Sequence, residues 1–234
     1  TEPNGQPGFG SDQAPAQDSA DQGAEEGGVV RRIGDVDDGY SYPAVTDGIS
    51  VSVEPVDPEP LTIRIENVAS TDTYASDGPT GGAVWLTPGA YGVHTGMNPA
   101  FTEGEEASPG LKAIAEAGFP MGFSGQPGLV SELGAAANVT VAGAFTPADT
   151  ATDPNDPMGA VPGAPPIAPG GAFEFTVRAT PGERLSLATM FVPSNDLFYA
   201  PESAGIPLFD SSGDPVSGDV TSEIELWDAG AGPN

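Results

Sequence analysis

The sequence predicts an all-β fold: an antiparallel β-sandwich with one short helix and an extended N-terminal arm. Two observations carry that reading. Short stretches alternate apolar and polar residues, as in Leu61-Thr62-Ile63-Arg64-Ile65-Glu66 and Phe173-Glu174-Phe175-Thr176-Val177, which is the period-2 pattern of strands with one buried face. The 234 residues also include 33 Gly and 26 Pro, concentrated between those stretches, where turns need them.

Taken in order, residues 1–57 read as an arm and residues 58–234 as the sandwich domain. Thr1 to Gly28 is built from Gly, Gln, Asp, Glu and Ala with one aromatic, Phe9. Such a stretch cannot bury enough apolar surface to offset its ordering entropy. Two strand-capable pieces follow, Val29-Val30-Arg31-Arg32-Ile33 and Ile49-Ser50-Val51-Ser52-Val53, before Pro55, Pro58 and Pro60 interrupt the chain. An edge strand offers unpaired backbone groups to another chain. Residues 29–53 are therefore the candidate for self-association, as strands donated between subunits into a homopolymer or homo-oligomer.

Beyond Leu61 the expected strands are Leu61–Val68, Ala83–Leu86, Asn138–Ala142, Phe173–Arg178, Leu185–Val192 and Glu223–Trp227, with a long Pro/Gly/Asp loop over Pro147–Gly171. Leu185–Val192 is almost wholly apolar, as expected of a central strand buried on both faces. The helix starts at Ser108-Pro109, an N-cap followed by proline at the first helical position, and ends at Gly118. Lys112 and Glu116 are spaced as an i,i+4 pair.

Charge narrows the habitat and the partners. Six Lys+Arg stand against 34 Asp+Glu, a formal net charge of −28. That surface repels itself in dilute buffer, and at molar salt the Debye length of roughly 3 Å screens the repulsion. A protein of very salty surroundings is the expectation, with an acidic calcium buffer as the rival. Nucleic acid is not an expected partner, because there is no basic patch to displace counterions. No apolar run approaches the ~20 residues of a membrane-spanning helix. The absence of cysteine excludes disulfides and thiolate metal sites. The chain begins with Thr1, as it would after removal of an export signal or after trimming.

Four segments in chain order resemble the spondin domain of the F-spondin and mindin matrix proteins. They are Leu86-Thr87-Pro88-Gly89-Ala90-Tyr91-Gly92-Val93-His94, Ala107 to Gly118, Met190-Phe191-Val192-Pro193-Ser194-Asn195-Asp196-Leu197-Phe198, and Trp227-Asp228-Ala229-Gly230. The resemblance covers residues 61–234. It implies an antiparallel sandwich with a calcium site at one end, and extracellular matrix binding or cell adhesion rather than catalysis. It also sets Glu174 against an acidic position linked with integrin contact in mindin, which makes Glu174 an adhesion candidate. Where the family continues its fourth motif with a threonine and an acidic residue, this chain has Ala231-Gly232.

The residues give calcium a rationale of their own. Asp196 and Asp228 each follow a strand directly. Two strands ending at one pole would bring their carboxylates together, and calcium takes six to eight oxygens. Ser194 and Asn195 are the neighbouring loop candidates. The alternative is that both aspartates are turn residues capping local N–H groups. Asn138-Val139-Thr140 is an acceptor triplet for N-glycosylation in an exported protein.

Catalysis finds little support. His94 is the single histidine, which rules out a multi-histidine metal cluster, and its neighbours form neither a nucleophile elbow nor an oxyanion hole. The expectation is a secreted, non-enzymatic structural or adhesive protein stabilised by calcium and polymerising through its arm. The alternatives are a monomeric surface module binding glycan or protein, with the arm as a tether, and, third, a secreted hydrolase.

Overall fold

The computed structural model describes residues 27–56, 60–70, 72–73, 82–145, 166–192 and 194–232. The first 26 residues of the arm, Pro58, Pro193 and the 147–165 part of the long loop lie outside them. The elements run β1 (Arg31–Arg32), α1 (Val45–Gly48), β2 (Ile49–Pro55), β3 (Leu61–Asn67), β4 (Trp85–Leu86), β5 (Gly89–His94), α2 (Pro109–Ala117) and α3 (Leu129–Ala135). They continue with β6 (Val139–Phe145), β7 (Ala172–Val177), β8 (Arg184–Val192), β9 (Leu197–Pro201), β10 (Ile206–Pro207), β11 (Gly218–Asp219) and β12 (Ile224–Asp228).

The strands form two antiparallel sheets. The larger follows the path β1-β12-β9-β8-β5-β6, with β4 and β10 also paired to β8; the smaller is β11-β2-β3-β7. Alternation places Ile49, Val51 and Val53 of β2 and Leu61, Ile63 and Ile65 of β3 in the core. There they meet Phe145, Leu185, Leu187, Phe191 and Leu226 of the larger sheet. Each fully buried side chain of this size contributes ~1.5–3 kcal/mol, so this inter-sheet layer dominates the fold.

The larger sheet is covered on its other face as well. Leu111, Ile114 and Ala115 of α2 and Leu129 and Leu133 of α3 pack with Ala90, Ala188, Phe198 and Trp227. Strand β8 is thus an interior strand apolar on both faces, as its sequence indicates. Helix α2 has the expected ends: Ser108 Oγ accepts from Leu111 N at 3.1 Å, and Gly118 is left-handed at φ 67°. Lys112 Nζ lies 3.6 Å from Glu106 Oε1, while Glu116 is buried.

Three features differ from the sequence expectation. Residues 89–94 form a strand despite two glycines, because the backbones come close there: a Cβ on Gly89 would lie 2.0 Å from the Ala188 carbonyl oxygen. Helix α3 is short and starts at Gly128 without a side-chain cap. Its Glu132 accepts from Ser108 Oγ at 2.5 Å and from Gly110 N at 2.8 Å, so its negative charge sits at the N-terminus of α2. Both strand-capable pieces of the arm pair within their own chain. Residues 49–55 form an interior strand of the smaller sheet, and Arg31–Arg32 pairs with β12.

Candidate functional site

Strands β9 and β12 are antiparallel, with Asp228 opposite Leu197. The residue before β9, Asp196, and the last residue of β12, Asp228, therefore lie at one pole, both fully buried. Sequence reasoning brought these two together by topology, and the larger sheet places them so.

Their oxygens face N–H groups. Asp196 Oδ2 accepts from Ala231 N at 2.7 Å and Gly232 N at 3.0 Å, and the Asp196 carbonyl accepts from Ala229 N at 3.2 Å. Asp228 Oδ1 accepts from Gly230 N at 2.5 Å. Asp228 Oδ2 accepts from Arg31 Nη2 at 3.1 Å, an ion pair in which Asp228 is wholly buried. Ser194 Oγ donates to the Phe191 carbonyl at 2.5 Å and accepts from Leu197 N at 3.0 Å, which shapes the turn into β9. Asn195 is half-buried in that turn.

The N-terminal segment closes this pole. Gly28 N donates to Gly230 O at 2.8 Å, and Arg31 and Arg32 lie opposite Asp228 and Trp227. On its other side Val30 N donates to Glu105 O and Val30 O accepts from Gly104 N, each at 2.9 Å. Val30 is fully buried among residues that include Trp227 and Ala231. Arg32 spreads over the Trp227 ring, 5.3 Å from its centroid, and pairs with Glu202 at 2.7 Å, Glu225 at 3.3 Å and Glu103 at 4.0 Å. Sequence reasoning named the segment but not its arginines. Their signal is two adjacent arginines in a chain with six cations.

Calcium would need six to eight oxygens at 2.3–2.6 Å. Three of the four carboxylate oxygens here accept N–H donors, and a guanidinium occupies one of them. The cavity beside the pole is lined by Lys112 and Glu106 together with Gly28, Gly230 and Ala231, so its one cation comes with a carboxylate 3.6 Å away. Among the described residues no group of three or more His, Cys, Asp or Glu is gathered as a metal set. As arranged, the residues do not fit a calcium cage. The reason is physical: backbone amides and Arg31 already compensate the charge that the expectation assigned to a cation.

The other candidates lie elsewhere. Glu174 is exposed on β7 opposite Arg64, whose Nη1 lies 3.2 Å from Glu174 Oε2. Asn138 Nδ2 donates to the carbonyls of Thr95 at 2.8 Å and Met97 at 3.1 Å, and Thr140 Oγ1 donates to Glu183 at 2.7 Å. The triplet is thus tied to a neighbouring turn.

His94 is fully buried against Ser186, with Nε2 2.8 Å from Ser186 Oγ. Asn98 Oδ1 accepts from Ala100 N at 2.8 Å, which fixes its amide orientation, and it also accepts from Ser186 Oγ at 2.8 Å. With the serine proton directed to Asn98, His94 Nε2 is the donor to Ser186. That polarity is the reverse of a serine nucleophile activated by histidine. Burial, first of all, holds the imidazole below the ordinary histidine range; Arg184 adds to this, and the Thr95 backbone and Glu183 oppose it.

Fold and pole together define an all-β sandwich, helix-covered on one face and closed at one end by its own N-terminal segment. Comparison with known proteins gives no match to a family model, to a curated protein or to a solved structure.

Proposed function

We propose that this chain is a non-catalytic, extracellular structural or adhesive module of the spondin type, and that copies join through the N-terminal segment within residues 29–53. The observation that carries this reading is the seating of Gly28–Arg32. This segment is held as a docked peptide is held, with backbone partners on both sides, one side chain in an apolar pocket and two arginines matched to carboxylates. Residues 33–44 connect it to α1, which runs directly into β2, with only a three-residue 3-10 turn, Ile33–Asp35, as regular structure. A seat of this kind can be filled by the chain's own segment or by that of a second copy, which is the usual route to a swapped assembly. The acidic composition fits work in a salty exterior, and the polarity of the His94–Ser186 pair supports a structural role for the one histidine.

Electron microscopy and light scattering of the purified protein in molar salt test the proposal. Filaments or oligomers that disappear in Val30→Asp support it. Monomers at every protein concentration would overturn the assembly. They would favour the monomeric surface module, a reading for which the intrachain seating of β1 also speaks. An esterase, glycosidase and peptidase screen with His94→Ala as control tests the non-catalytic part; activity that the variant loses would sink it.

A further inference from the structure

We infer that Arg31 is the resident cation of the Asp196–Asp228 pole, so that a divalent metal and the N-terminal strand exclude one another there. This goes beyond the assembly reading and does not depend on it. A wholly buried carboxylate must be compensated where it sits. Asp228 receives one N–H from Gly230 and one from the Arg31 guanidinium.

The guanidinium is not a loose surface partner. Arg31 lies opposite Asp228 in the β1–β12 register, so the strand that pairs with the aspartate also delivers its counter-charge. Asp196, one strand over, is compensated by two amides of the segment that follows Asp228. A metal entering this pole has to turn out the guanidinium. Turning it out loosens β1, and with β1 the buried Val30 and the Gly28–Gly230 bond. The guanidinium thus holds the place at Asp228 that a cation between the two loops would need.

The test compares the full chain with Arg31→Gln, and with Arg31→Gln/Asp228→Asn, in molar potassium chloride. Each is titrated with calcium chloride and, as a control for the acidic surface, magnesium chloride. Arg31→Gln is expected to unfold at a lower temperature than the wild type. It should recover with calcium, and bind it roughly tenfold more tightly than the wild type does. The double variant, with no uncompensated charge left at position 228 and Asp196 still held by its two amides, is expected to regain most of the lost stability without calcium; it keeps the test decisive should Arg31→Gln alone not fold. Two results would overturn the inference. One is a wild type that calcium, and not magnesium, stabilises as strongly as it does Arg31→Gln. The other is a double variant no more stable than the single one.

Discussion

Gly28 and Gly230 approach each other so closely that a side chain on Gly230 would collide with the backbone of residues 28 and 29, and one on Gly28 would press on Gly230. The Gly28 amide donates to the Gly230 carbonyl at 2.8 Å, a Cβ on Gly230 would lie 2.6 Å from Val29 N, and Gly230 is left-handed at φ 67°. Alanine at position 230 meets both the strained backbone and the collision. Gly230→Ala is expected to destabilise the protein by about 2 kcal/mol, read from urea unfolding in molar salt. An unchanged midpoint would show that the N-terminal segment does not depend on this approach.

Val30 is the apolar anchor of the same segment. Its side chain is fully buried beside Trp227, and truncating a buried residue of this size costs about 1–2 kcal/mol. Val30→Ala should weaken the seat and Val30→Asp should empty it. The readout is trypsin cleavage after Arg31 and Arg32, expected to be slow in the wild type, faster in Val30→Ala and immediate in Val30→Asp. Equal rates in all three would contradict the seating.

The buried His94 makes stability depend on pH. Its folded-state pKa is held below the ordinary value, which is about 6.5, so the fold favours neutral imidazole. The His94 contribution is complete above that value and is lost as pH falls through the lower, folded-state one. Burial is the first cause; the Thr95 backbone opposes it, and of the charged groups Arg184 lowers the value further and Glu183 raises it. Urea midpoints measured downward from pH 7 are expected to decline in the wild type and to decline less in His94→Gln. Parallel declines would assign the slope to carboxylates instead.

Ser186 is the sole described acceptor facing His94 Nε2, and it hands its own proton to Asn98. Ser186→Ala removes the acceptor and leaves a buried N–H unmatched. A loss of about 1–3 kcal/mol follows, measurable by thermal unfolding. A neutral substitution would mean that the pair carries no weight in the core.

Salt should rank among the strongest external influences on the fold. With a formal charge of −28, self-repulsion is felt over about 10 Å at 0.1 M salt and only about 3 Å at 1 M. The melting temperature is expected to climb across that range. A flat profile would count against the habitat inferred from composition.

How far the sequence could be read depended on whether the controlling contact was local. Strands β2, β3, β7 and β12 announce themselves by alternation and β8 by its apolar run, because each pattern follows from the faces a strand buries. Helix α2 is equally plain, since Ser108, Pro109 and Gly118 act within their own turn. Strand β5 is hidden by Gly89 and Gly92, which lower strand propensity; Gly89 does so in order to admit the Ala188 carbonyl and the Phe145 ring. The pole was legible in part. Asp196 and Asp228 end strands and could be placed together, but the partner of Asp228 is 197 residues away. No periodicity links Arg31 to it, and the family resemblance pointed toward a metal instead.

The antiparallel pairing of β1 with β12 has a mechanical consequence. Gly28 lies beside Gly230 at the end of this pairing, so tension that draws the two residues apart loads the strand from its end. Gly28–Gly230 carries the load first, and the Val30 bonds to Gly104 and Glu105 and the Arg31–Asp228 ion pair follow. Strands loaded in this way peel; they do not shear. Under traction the larger sheet gives up its outermost strand at modest force while the layers beneath it hold, so the molecule lengthens before it unfolds.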